Sequence, residues 1–127
     1  MKTLRIIAIG LFITMPTAAQ QPGIKRTELQ RHDLSVPGHE TVQSRIDFAP
    51  GAAFPRRTHP GEEIIYVLEG TLEYQVEGKP PMTFKAGEVL FIPAGTVHAA
   101  RNFGKTNGAE LGTYVVEKGK PLVVIVE

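Results

Sequence analysis

The 127-residue sequence predicts an all-β domain, on three observations. Short runs rich in β-branched and aromatic residues recur from Val42 to the end of the chain; Gly and Pro turns separate them; and no stretch after the N-terminal segment carries a helical apolar period. Such a pattern is that of a small all-β barrel or sandwich.

The runs follow in order. Thr27 to Leu34 reads as an edge strand. Val42 to Phe48 alternates, with Val42, Ser44, Ile46 and Phe48 on one side, and ends at the turn Ala49-Pro50-Gly51. Ile64-Ile-Tyr-Val-Leu68 is apolar on both faces, which predicts that both are covered. Thr71 to Glu77 alternates strictly, placing Leu72, Tyr74 and Val76 inward and Glu73, Gln75 and Glu77 in water. Gly78-Lys-Pro-Pro81 leads into Met82 to Lys85, and Ala86-Gly87 leads into Val89 to Ile92. Asn107-Gly108 is a turn pair. Strands at Leu111 to Glu117 and Leu122 to Val126 flank Lys118-Gly-Lys-Pro121. The last of these is an apolar strand at a chain end, which either closes the barrel or pairs with a second copy.

The N-terminus stands apart. Lys2 and Arg5 precede the apolar run Ile6 to Met15, and Pro16-Thr-Ala-Ala19 follows. This is the layout of a secretory signal peptide over residues 1–19, cleaved after Ala19, since the apolar run is far short of the roughly 20 residues a spanning helix needs. Residues 20–26 then read as a flexible lead-in and residues 27–127 as one domain. The expected location is periplasmic or secreted, with no membrane contact after cleavage.

Composition excludes some partners. The whole chain carries a formal charge of +1, and loss of Lys2 and Arg5 leaves 12 basic against 13 acidic residues. No basic stripe with interleaved aromatics is present, so no nucleic-acid partner is expected. The chain has no cysteine, hence neither a disulfide framework nor a lipid-attachment site.

The chemistry concentrates between Gly51 and Asn102. Residues 57 and 59 share one face of a strand by the period of two, so Arg57 and His59 face one cavity. Pro60-Gly61 breaks that strand, and Glu63 opens the next apolar run, where a turn brings its carboxylate toward His59. His98 follows the turn Pro93-Ala-Gly95. Imidazole and carboxylate together suit zinc, iron, manganese, nickel or copper. His32 and His39 lie in polar flanks and read as surface residues; Tyr66, Tyr74, Phe84 and Phe91 read as core.

Two motifs organise these residues. Gly51, His59, Glu63 and Gly70 keep the spacing of the first motif of the cupin superfamily, with Arg57 where that motif has its first histidine. Gly87, Pro93, Gly95, His98 and Asn102 keep the spacing of the second, and only 16 residues separate Gly70 from Gly87. The chain therefore resembles a compact single-domain cupin. That resemblance implies a double-stranded β-helix, or jelly roll; a divalent transition metal (Fe, Mn, Zn, Ni or Cu) on His59, Glu63 and His98; a small-molecule ligand or substrate; and a homodimer. It selects no reaction among dioxygenases, isomerases, decarboxylases and sugar binders.

Arg57 departs from the pattern. A guanidinium has no lone pair for a metal, and beside a cation it is repelled by about 4 kcal/mol per unit charge at 4 Å and an effective dielectric near 20. Three placements are open: outward, leaving a three-ligand site; inward, paired with Glu63 in a metal-free binding module; or inward, receiving an anionic ligand.

Overall fold

The computed structural model describes residues 21–127, so the expected signal segment lies outside the described residues. Ten strands form, namely β1 (Ile24–Asp33), β2 (His39–Phe48), β3 (Ala53–Thr58), β4 (Gly61–Glu69), β5 (Thr71–Val76), β6 (Met82–Lys85), β7 (Val89–Ile92), β8 (His98–Arg101), β9 (Gly108–Glu117) and β10 (Val124–Ile125). They make two five-stranded sheets, ordered β1-β2-β9-β4-β7 and β10-β3-β8-β5-β6, with every pair antiparallel. This is the double-stranded β-helix: the inner faces of the two sheets meet and leave their outer faces to solvent.

Alternation decides which side chains meet. Val42, Ser44, Ile46 and Phe48 are buried along β2, and Leu72, Tyr74 and Val76 along β5, as their period of two requires. Phe48, Ile65, Val67, Leu72 and Ile92 are at most 1% exposed and hold the centre of the core. A smaller cluster of Val42, Tyr114 and Val116 closes the end near the C-terminus, with Leu122 packed on it. The turn glycines take backbone conformations that a side chain would oppose. Gly70, at φ 65°, joins β4 to β5 with its α-carbon against Asn107, where an added Cβ would stand 2.4 Å from the Asn107 carbonyl oxygen.

The structure corrects the sequence reading at four places. Strand β1 begins at Ile24, so residues 24–26 of the expected lead-in are strand, and Arg26 donates from its guanidinium to the Tyr114 hydroxyl at 3.1 and 3.2 Å. Within the chain, only one face of Ile64 to Leu68 is covered: Ile65 and Val67 are fully buried, whereas Ile64, Tyr66 and Leu68 are 37–49% exposed. Tyr66 and Phe91 consequently lie on the surface, while Tyr74 and Phe84 do belong to the core. The C-terminal strand is reduced to two residues, because only Val124 and Ile125 pair in register, with Thr58 and Arg57. It adds to the edge of this chain's own second sheet.

One buried polar pair reaches deep into the barrel. Counting back from buried Tyr114 by twos, Gly112 and Glu110 also face inward along β9. Glu110 is fully buried, and its Oε2 accepts a short hydrogen bond from the Tyr74 hydroxyl. Burial, then the charge of Glu63, pushes its carboxyl up to about 7, against the opposing pull of Arg57, Tyr74 and Arg26. Between the ordinary carboxylate value and about 7 the folded chain then binds more protons than the unfolded one. Stability therefore falls as pH rises through that window. In metal-free protein, Glu110→Gln should remove this loss, so urea unfolding at pH 5 and pH 7.5 should show a smaller difference for the variant than for the parent.

Candidate metal centre

The two sheets bring the candidate residues to one end of the barrel. Arg57, near the end of β3, is paired in register with His98, the first residue of β8. His59 sits in the corner where the chain leaves that sheet for the other, and Glu63 lies on β4 opposite Tyr114. The Pro60-Gly61 break thus folds Glu63 back beside His59 across the two sheets. His59, Glu63 and His98 are at most 4% exposed.

Their ligand atoms converge. Glu63 Oε2 stands 3.0 Å from His59 Nε2 and 3.2 Å from His98 Nε2, and the two imidazole Nε2 atoms are 3.2 Å apart. The other ring nitrogens are already committed: His59 Nδ1–H donates to the Leu122 carbonyl at 2.7 Å and His98 Nδ1–H to the Thr96 carbonyl at 2.8 Å. That arrangement turns the lone pair of each Nε2 toward the carboxylate, as backbone-anchored metal ligands require. Three acceptor atoms facing one another need a cation among them, either a shared proton or a metal ion. Ligand atoms about 2.1 Å from one ion and at right angles stand about 3.0 Å apart, which these spacings match.

Space and charge fit the same group. Glu63 Oε1 has no partner, and an added Cβ at Gly112 would stand 2.8 Å from it and 3.2 Å from the Tyr114 hydroxyl. Only glycine leaves the carboxylate its place. Burial by itself would push the Glu63 carboxyl up, but when a shared proton rather than a metal lies among the three atoms, hydrogen bonds from His59 and His98, with the charges of His59 and Arg57, hold it below the usual carboxylate range. A ligand carboxylate has to be ionised, and this one is.

Of the three placements open to Arg57, the outward one is not taken, and the pair with Glu63 does not form. The side chain points inward and is fully buried, yet it makes no ion pair among the described residues. Its guanidinium lies 4.2 Å from the centroid of the Phe54 ring and donates from Nη1 to the Pro55 carbonyl at 3.4 Å; its Nε has no partner. The motif's remaining polar residue is a brace. Asn102 donates to the Phe48 and Thr106 carbonyls at 2.9 Å each and accepts from the Gly104 amide at 2.8 Å, which ties the loop after β8 to β2. Sequence reasoning missed Glu110 and the Tyr74 hydroxyl beside it. The signal was present in the alternation of β9, because Glu110 is two steps of the same face from Tyr114. His32 is exposed and His39 half-buried, and neither belongs to the converging group, although His39 lines a surface groove with His59.

Comparison with known proteins agrees with this architecture. Similarity to the oxalate oxidase solved in complex with the substrate analogue glycolate extends over 82% of this chain and 55% of that one, at 30% identity and a TM-score of 0.66. A cupin-like protein from Thermotoga maritima aligns over 81% of this chain and 75% of its own at 25% identity, with a TM-score of 0.67. Among curated sequences, germin-like protein subfamily 2 member 2 of Arabidopsis thaliana is 39% identical over 87 residues, 62% of this chain and 40% of that protein. A dimethylsulfoniopropionate lyase from Ruegeria pomeroyi is 38% identical over 67 residues, 52% of this chain and 33% of the lyase. The chain thus spans less than half the length of these curated relatives. The family profile described as "Cupin domain" covers residues 44–126, both motifs included, and the chain belongs to the cupin family.

Proposed function

We propose that this cupin holds a divalent transition metal through His59 Nε2, Glu63 and His98 Nε2, and binds or converts a small organic molecule in the barrel. The convergence of three buried acceptor atoms within 3.0–3.2 Å of one another carries this reading. Iron, manganese, zinc, nickel and copper all suit two imidazoles and a carboxylate. Such an ion supplies Lewis acidity at the site when bound. The chain's own part is to aim the ligands: the Leu122 and Thr96 carbonyls fix both imidazoles, and Gly112 makes room for the carboxylate. Relatives named for oxalate and for dimethylsulfoniopropionate support a small organic ligand, while the fold selects no reaction.

A metal-free binding module is the second reading, favoured by Arg57 being inside the barrel, where its charge helps keep Glu63 ionised. Metal titration separates the two. On the first reading, protein prepared without chelator or nickel resin binds Zn²⁺, Mn²⁺, Fe²⁺ or Ni²⁺. His98→Ala should then lower affinity by more than about 100-fold, beyond the 10–100-fold that a supporting partner contributes. Arg57→His should raise it, since it removes a repelling cation and adds an imidazole on the same strand face. Negligible binding by both parent and Arg57→His would refute the metal reading.

The N-terminal pattern supports export to the periplasm or beyond. The mature chain is expected to begin at Gln20 or Gln21, and an intact mass corresponding to all 127 residues in an exporting cell would contradict it.

The outer face of β4 and β7 supports a homodimer. Ile64 lies across from Phe91 and Tyr66 across from Val89, and Leu68 and Met82 extend the same surface. A groove of about 340 Å³ runs between the edges of β6 and β7, lined by Met82, Phe84, Val89 and Phe91 among others. The six side chains are 37–63% exposed. Together they make an apolar surface of the kind that marks interaction sites, and a stable pair buries ~800 Å² per subunit. The β7 edge is short and uncharged, so a second copy can pair with it antiparallel across a twofold axis. Light scattering should give a dimer mass at micromolar concentration, and Phe91→Glu should give a monomer; a monomeric parent would count against this interface.

A further inference from the structure

Arg57 is a cation enclosed without an anion of its own. Its Nη1 has one long backbone contact and its buried Nε has no partner. A buried charge in that condition is costly unless it is paired. Two further orphaned atoms belong to the same interior: Glu63 Oε1, beside Gly112, and Glu110 Oε1, whose companion oxygen is held by Tyr74. Arg57 acts electrostatically on both carboxyls.

Charge then decides what can complete the set. Without metal, Arg57 and ionised Glu63 cancel. With a divalent ion on His59, Glu63 and His98, the interior carries an excess of +2 when Glu110 holds its proton and +1 when it does not. Closed from solvent, that excess calls for a counter-anion beside the ion. The planar fork of a guanidinium matches a carboxylate in shape and donor spacing. Resting on the metal reading above, we propose that the ligand of this site is a small carboxylate, received by Arg57. An imidazole at position 57 would supply a ligand to the metal and no receptor for the anion.

The proposal makes metal and carboxylate binding reciprocal. Calorimetric titration of the full chain with Zn²⁺ in acetate, against chloride at equal ionic strength, should show affinity raised by about 5- to 150-fold, and Zn²⁺ should raise acetate affinity by the same factor. Arg57→Met should bind Zn²⁺ in chloride at least as tightly as the parent and lose the coupling. Equal Zn²⁺ affinity in acetate and chloride would overturn the carboxylate inference and leave the metal reading standing, whereas no Zn²⁺ binding at all would overturn both. Coupling of the same size with inorganic phosphate would overturn the assignment to carboxylates. Should Arg57→Met fail to fold, the parent titration alone decides.

Discussion

The buried carboxylate of Glu63 between two imidazoles is the constraint on which the rest of this molecule turns. An ionised group with no exposed surface is costly unless neighbouring groups hold it. Oε2 has His59 and His98; Oε1 has the space at Gly112 and no protein partner. Each of these neighbours comes from a different strand or corner, so keeping the carboxylate ionised fixes the relation of β4 to β8, to β9 and to the β3–β4 corner. The hydrophobic core fills the barrel below.

The backbone anchors show how far that constraint reaches. His59 Nδ1 is tied to Leu122, 63 residues away, in the segment after β9. That segment has little else to hold it: a two-residue ladder to β3, a bond from the Val126 amide to the Arg56 carbonyl at 2.9 Å, and Leu122 packed on Val42, Tyr114 and Val116. Its docking and the orientation of the His59 ring are therefore one event. A cation in the site, by fixing His59 Nε2, favours the tautomer that Leu122 accepts from, and the reverse holds equally.

Legibility in the sequence followed local periodicity. The inward faces of β2 and β5 could be read because polar and apolar residues alternate there without interruption, and the positions of His59, Glu63 and His98 could be read because fixed turns separate them. What could not be read depends on what lies across from a residue. Ile64 to Leu68 is equally apolar on its two faces, and nothing within those five residues says that the second sheet covers Ile65 and Val67 and leaves Tyr66 in water. Arg26 looked like part of a polar tail because its partner, the Tyr114 hydroxyl, is 88 residues away. Glu110 lies in a stretch where the apolar residues Leu111 and Val115 face outward, which inverts the usual inference from polarity to exposure.

That inversion along β9 bears on the interior as a whole. Glu110, Gly112 and Tyr114 are successive inward positions, and none is an ordinary core residue: one is an acid, one has no side chain, and one carries a hydroxyl. Packing alone would favour aliphatic residues at all three. Their identities make sense together only if the barrel end is built around polar contents. Gly112 seats Glu63, Tyr114 presents an edge to the His59 ring at 4.8 Å while its hydroxyl takes Arg26, and Glu110 is braced by Tyr74 with one oxygen left free. Arg57 completes that lining from the opposite sheet. A barrel that needed only to fold would have no use for two acids and a guanidinium at zero exposure, and their cost to stability is the physical reason to read them as a site.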